Sequence, residues 1–246
     1  MIAIITGASS GIGREFAYQI DNLDYDEIWL IARRYERLVE VKNNLKTKTK
    51  IIALDLLDEE SFLKISDELE FLNAKVGLLV NAAGIGYNDY FENLSLEKNK
   101  KTIDLNILAA TQMIKVLLPF MAKNSVIINV ASVAGFIPQP KFATYAASKS
   151  YLISLSRALN REFRDRKIHV ATLCPNPVNT EFGANNDSGI KKLATEDINK
   201  LVSKTLKQAK YKDIITVHLS AKFMLVISKI IPHSFIMWLE KIFGLY

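Results

Sequence analysis

Tyr145 and Lys149 stand four residues apart in "YAASK" (145–149), which on a helix puts a phenol and an ammonium on one face, one turn apart. A free phenol titrates near ~10, so proton exchange at neutral pH needs a cation beside it to favour the phenolate. Taken alone, the pair is more simply read as a half-buried tyrosine next to a surface lysine. A second stretch, "TGASSGIG" (6–13), supplies Gly7, Gly11 and Gly13 between an apolar run and an amphipathic one. Glycines there permit a tight turn and close backbone approach to a ligand, and a helix starting at that point offers free N–H groups to a diphosphate. A dinucleotide fold that prefers NAD places an acid about 20 residues further on, against the ribose 2′-hydroxyl. This chain has Arg33 and Arg34 in that place. Guanidinium groups match a 2′-phosphate in charge and fork geometry, which favours NADP(H) over NAD(H).

The same glycine stretch contains "GASSG", which also fits the G-x-S-x-G elbow of hydrolases with Ser9 as nucleophile. That reading leaves Gly13 unexplained and puts the elbow on the first strand of the chain. Metal chemistry is not expected: the three histidines, His169, His218 and His233, are scattered, and Cys174 is the only cysteine.

These groups need a scaffold, and the apolar pattern describes one. Short β-branched runs at 2–6, 27–32, 50–54, 76–80, 125–130 and 168–173 alternate with helical stretches at 12–22, 34–47, 59–70, 96–121, 143–165 and 196–210. The strands are apolar nearly throughout, as expected for strands covered on both faces. Strict alternation predicts right-handed crossovers and one doubly wound, Rossmann-like parallel sheet, an α/β fold in a single domain over 1–246. A last strand is predicted at 213–218. The segment 219–246 then reads as a helical C-terminal extension of two short apolar helices divided by Pro232.

Composition narrows the setting. One cysteine excludes an internal disulfide and fits a reducing, cytoplasmic location; no signal peptide is visible, and no apolar run is long enough to span a bilayer. The net charge of +6 is concentrated at one end. Residues 1–190 hold 22 basic and 22 acidic residues, whereas 191–246 hold ten lysines and four acids. No arginine fork is present in that tail to read bases, so nucleic acid is not an expected partner. A solvated lysine-rich surface, or a basic face meeting anionic lipid or an acidic substrate group, remains open.

With these pieces assembled, the chain resembles the short-chain dehydrogenase/reductase (SDR) family over residues 1 to about 182. "TGASSGIG", "DL" (55–56), "NAAG" (81–84), "DLNILA" (104–109), "NVASVAG" (129–135) and "YAASK" follow one another in the family's order, with Ser132 placed 13 residues before Tyr145. The resemblance implies a catalytic set of Asn106, Ser132, Tyr145 and Lys149. Tyr145 would be the general acid/base, Ser132 would bond the substrate oxygen, Lys149 would lower the phenol's pKa and hold the nicotinamide ribose, and Asn106 would anchor a water. It implies a cofactor site made of Gly7, Ser9, Ser10, Gly11, Ile12, Gly13, Arg33, Arg34, Asp55 at the adenine, Leu56, Asn81, Ala82, Ala83, Gly84, Pro175, Val178 and Thr180, together with Tyr145 and Lys149. The implied activity is reversible NADPH-dependent reduction of a ketone or aldehyde, with an apolar fatty-acyl or steroid-like carbonyl compound as the small-molecule substrate. The alternative is a non-catalytic NADP(H)-binding redox sensor. Family habit implies a homodimer or homotetramer and a substrate lid at 181–210.

Three departures from the family pattern stand out. Asn176 in "CPNPVNT" (174–180) replaces a usual glycine, and Asn is expected there for its tolerance of left-handed backbone while adding bulk near the nicotinamide. Ser10 stands where many NADP-dependent members have a basic residue, leaving a phosphate to Arg33 and Arg34. The tail 219–246 replaces a compact strand and turn. It is read in three ways: a roof over an apolar pocket, an oligomer contact, or a peripheral membrane contact.

Overall fold

The computed structural model describes residues 1–181 and 196–242, apart from the Glu240 side chain. Among them, seven parallel strands form one sheet: β1 (Ile2–Thr6), β2 (Glu27–Ala32), β3 (Thr49–Ala53), β4 (Val76–Asn81), β5 (Met121–Val130), β6 (His169–Leu173) and β7 (Ile214–Ile215). Their order is β3-β2-β1-β4-β5-β6-β7. Along β1 the side chains alternate, Ala3 and Ile5 to one face, Ile2 and Ile4 to the other, and all four are buried. This is why the strand is apolar throughout rather than at every second residue.

One face is covered by α1 (Gly11–Ile20), α2 (Tyr35–Lys42) and α7 (Ile198–Gln208), through Phe16, Leu38 and Leu201 among others. The other carries α3 (Glu60–Phe71), α5 (Ala110–Leu117) and part of α6 (Ala143–Glu162), through Ile65, Met113 and Phe163, which follows α6. Two further helices, α8 (Leu219–Ile230) and α9 (His233–Ile242), lie either side of Pro232. The strand order reverses between β1 and β4, so the crevice beyond their carboxyl ends is where this architecture places a ligand.

Several boundaries differ from the sequence pattern. The single helix expected over 96–121 is α4 (Leu96–Ile103), a π-helical segment at Asp104–Ala109, and α5. A widened turn of that kind, an insertion into the α-helical winding, has no signature in apolar periodicity. β5 begins at Met121 rather than 125. Between Val76↔Met121 and Leu78↔Val126 the two strands advance unequally, and Asn124 takes φ +66° in the resulting bulge. The last strand is only two residues long. Of the expected lid, residues 182–195 lie outside the described residues. Its helical part, α7, is anchored in the core, with Leu201, Val202 and Thr205 fully buried.

Candidate active site

The glycine turn after β1 is held from two sides. Gly7 takes φ +67°, and a Cβ there would lie 2.8 Å from the Ala83 nitrogen. No side chain fits between the turn and the end of β4. Thr6 completes the join: its Oγ1 accepts from the backbone N–H groups of Ala82 (3.1 Å) and Ala83 (3.2 Å). Thr6 was not among the residues singled out from sequence. Its signal is a buried hydroxyl at the last position of an apolar strand. α1 starts at Gly11 with Ser10 as N-cap; the Ser10 side chain makes no cap bond, no acid occupies the first turn, and Arg14 does. Such a terminus suits a diphosphate.

Arg34 reaches across this turn from the end of β2. Its Nη2 donates to the hydroxyls of Ser9 (3.2 Å) and Ser10 (2.9 Å), while Nη1 pairs with the Glu181 carboxylate at 2.8 Å. Arg33 lies 3.7 Å from Asp55, whose other oxygen accepts from the Leu57 N–H at 3.1 Å. Ser9 is therefore tied to a guanidinium. His169, His218 and His233 are engaged with Lys212, Ser220 and Ser228, so no hydrolytic triad is assembled. Among the described residues no cluster suits a metal. Two hydroxyls, the Arg34 guanidinium and a helix N-terminus make a donor set that fits the phosphates of a dinucleotide.

The opposite end of the cleft is buried. Ser132 follows β5 and caps a short turn, its Oγ accepting from the Ala134 N–H at 3.2 Å. The Ser132 side chain faces the Tyr145 phenol and pulls its pKa down. Lys149, one turn further along α6, donates to the Val130 carbonyl at 2.9 Å and stands 5.5 Å from the Tyr145 ring centre. Burial raises the Tyr145 pKa to about 12 against the opposing pull of Ser132. Burial also lowers the Lys149 ammonium to about 8, with Cys174 pulling the other way. The Cys174 thiol is itself pushed up by burial and is an inert strand-end residue.

Asn106 lies in the π segment and is fully buried. Its amide is spent within the protein: Nδ2 donates to the Ile85 carbonyl (2.8 Å) and Ser148 Oγ (3.0 Å), and Oδ1 accepts from the Ile85 N–H at 2.9 Å. Ser148 in turn donates to the Tyr145 carbonyl at 2.7 Å. Asn106 therefore locks the segment following "NAAG" onto the helix that carries Tyr145. Ser148 and Gly86 escaped the sequence reading. A Cβ on Gly86 would stand 2.6 Å from Tyr145 Cδ2, so a side chain at 86 would displace the phenol ring.

The remaining expected residues are placed in different ways, some beside the crevice and some in the core. Ala82, Ala83 and Gly84 line the end of β4, and a Cβ on Gly84 would lie 3.3 Å from Lys149 Nζ. The Asn81 side chain instead points into the sheet, donating to Asn129 Oδ1 at 2.9 Å, so it braces the strand rather than lining the cleft. Leu56 and Ile12 pack in the two core layers. The Pro175 carbonyl accepts from the Val133 N–H at 3.1 Å, Val178 bridges to Glu196, and the Thr180 methyl lies over Gly11. The expectation for Asn176 is corrected: it is absent from the positive-φ residues, and its Nδ2 donates to Ser220 Oγ at 2.7 Å. The side chain faces α8, which uses the amide that a glycine would lack.

A family model described as short chain dehydrogenase matches residues 1–191. The very-long-chain 3-oxoacyl-CoA reductase of Rattus norvegicus is 31% identical over 214 residues, covering 83% of this chain and 68% of that protein. The inactive hydroxysteroid dehydrogenase-like protein 1 of Pongo abelii is 36% identical over 191 residues, 74% of this chain and 57% of that protein. Among solved structures, a short-chain dehydrogenase from Sphingobium yanoikuyae in complex with NADPH superposes with a TM-score of 0.79 at 24% identity, covering 93% of this chain and 92% of that one. One from Burkholderia phymatum in complex with NAD gives 0.80 at 22%, covering 92% of both. Fold, site and family model agree on the class, a Rossmann-like nucleotide-binding oxidoreductase. The chain belongs to the short-chain dehydrogenase/reductase family, whose members are mostly NAD(P)-dependent.

Proposed function

We propose that this protein is an NADP(H)-dependent carbonyl reductase, reversible to a secondary-alcohol dehydrogenase, acting on an apolar ketone of the long-chain acyl or steroid-like kind. The observation that carries the reading is the Ser132–Tyr145–Lys149 constellation, in which one buried phenol faces a hydroxyl and is backed by an ammonium. When bound, the cofactor supplies the hydride. Tyr145, with its proton held firmly by burial, hydrogen-bonds the substrate oxygen and delivers that proton as negative charge develops there. Ser132 donates a second hydrogen bond to the same oxygen. Lys149 stabilises the phenolate left behind and draws the next proton toward Tyr145.

Arg34, with the Ser9 and Ser10 hydroxyls converging on it, supports a 2′-phosphate and hence NADP(H). The names of the very-long-chain 3-oxoacyl-CoA reductases among the relatives support an apolar carbonyl substrate. A second reading, a nucleotide-binding protein without turnover, is favoured by the inactive relative. It is weakened by the presence here of Ser132, Tyr145 and Lys149 together. Oxidation of NADPH, with NADH in parallel, across ketones from short diketones to long-chain 3-ketoacyl thioesters and steroids tests both. Turnover that rises with apolar length is the expected result. Tight NADPH binding without turnover on any of them would establish the second reading.

A further inference from the structure

Helix α8 is apolar on both sides, although among the described residues only one side has a partner. Ala221, Met224 and Leu225 face inward; Met224 and Leu225 pack on the cluster containing Phe136 and Cys174. Opposite them, Leu219, Phe223, Val226 and Ile230 repeat at i, i+4, i+7 and i+11, and are 55–77% exposed. The stripe continues on α9, where Phe235, Trp238 and Ile242 are all exposed and the rings of Phe235 and Trp238 stack at 5.6 Å. A helix with apolar residues all round ordinarily has them all covered. No helix among the described residues is long and apolar enough to cross a membrane.

Charge decides what covers this face. Lys222 and Lys229 are exposed and seven residues apart, so they share one flank of the stripe; Lys241 is exposed on α9. No acid occurs anywhere from residue 214 to residue 239. A second copy docking through a two-fold axis would bring lysine-bearing flanks together with no carboxylate on α8 to neutralise them. An anionic bilayer offers both halves of what the face lacks: an acyl boundary for Phe, Leu, Ile and Trp, and headgroup charge for the lysines.

We propose that α8 and α9 form an in-plane docking surface for an anionic lipid bilayer. The inner side of α8 contacts the turn at Val133–Gly135, directly after Ser132, and accepts the Asn176 amide at Ser220. The docked helix thus separates the catalytic turn from the lipid by about one helix diameter, ~10 Å. An apolar substrate dissolved in the bilayer is then concentrated beside the cleft. The surface stands on observations separate from the catalytic assignment, so the two can fail independently.

Flotation of the full chain with vesicles of phosphatidylcholine alone, and of phosphatidylcholine with phosphatidylglycerol, tests the surface. Binding is expected to the anionic vesicles, with a blue shift of Trp238 emission; Trp29, the other tryptophan, is buried in the core and stays silent. Replacing Phe223, Val226 and Ile230 by Ser should weaken vesicle binding by at least about tenfold while NADPH binding persists. The pair Lys222→Glu and Lys229→Glu leaves the apolar stripe intact and should abolish the preference for anionic vesicles. Absence of vesicle binding by the unmodified chain, or binding unchanged by either set of substitutions, would overturn the proposal. So would a dimer in solution that the serine variant converts to monomer, since a second copy would then be the occupant.

Discussion

At one end of the cleft Tyr145 and Lys149 are 8% and 4% exposed; at the other, the side chains of Arg33 and Arg34 are 65% and 46% exposed. The two ends use charge in opposite ways. Removing Tyr145 and Lys149 from water shifts their proton equilibria in opposite directions: the phenol holds its proton more firmly and the ammonium releases its own more readily. Arg33 and Arg34 stay in water, where their attraction for a phosphate is screened by solvent and salt. Recognition at that end rests on geometry, several donors aimed at one place, more than on the strength of any contact. Under the proposed function, the buried end governs rate and the exposed end governs which cofactor is chosen.

The largest effect that would break this contrast is expected from Tyr145→Phe. It should reduce kcat by about 10³ or more while leaving the NADPH dissociation constant within about twofold, read by stopped-flow turnover and cofactor fluorescence. A variant retaining wild-type turnover would remove Tyr145 from the chemistry. Next comes Arg34→Ala, which should weaken NADPH binding by about tenfold and leave NADH unchanged. The loss should shrink as salt rises, whereas the Tyr145→Phe defect should not.

A pH series sharpens the buried end. The Lys149 pKa is lowered from its usual value to about 8, so between about pH 8 and the unfolded value near 10.5 the unfolded chain binds more protons than the native one. The Lys149 contribution to native stability then rises with pH across that window. Lys149→Met removes the titration, so wild type should gain on this variant in urea unfolding as pH climbs from 8 to 10. A constant difference would mean that burial is not what perturbs Lys149.

The smallest effect is expected at Glu181, whose carboxylate occupies Arg34 in this structure. Glu181→Gln should strengthen NADPH binding by a few-fold at most, with no change for NADH, in parallel titrations. An equal gain for both nucleotides would show that Glu181 does not compete for the phosphate-binding guanidinium.

Much of this was legible before any coordinates. The apolar runs at 2–6 and 27–32 coincide with β1 and β2, and Pro232 divides α8 from α9 where expected. These elements announce themselves because propensity and apolar period act within a few residues. Asn106 was legible as a site residue but not in its manner of working, since the π segment and the bond to Ile85 join residues 21 apart. Asn176 shows the same limit. Its backbone was judged by residue type, while its side chain was claimed by Ser220, 44 residues away.

By itself, the sequence determined the alternation of strands and helices, the glycine turn at 7–13, and the one-turn spacing of Tyr145 and Lys149. All follow from local sterics and helical period. Only the tertiary structure decided that Ser132 faces that phenol, that Arg34 binds Ser9, Ser10 and Glu181 together, and that one side of α8 is left uncovered by the described residues. Burial and approach depend on which distant segments share a surface, and desolvation, which moves the Tyr145 and Lys149 pKa values, exists only once the chain has closed around them.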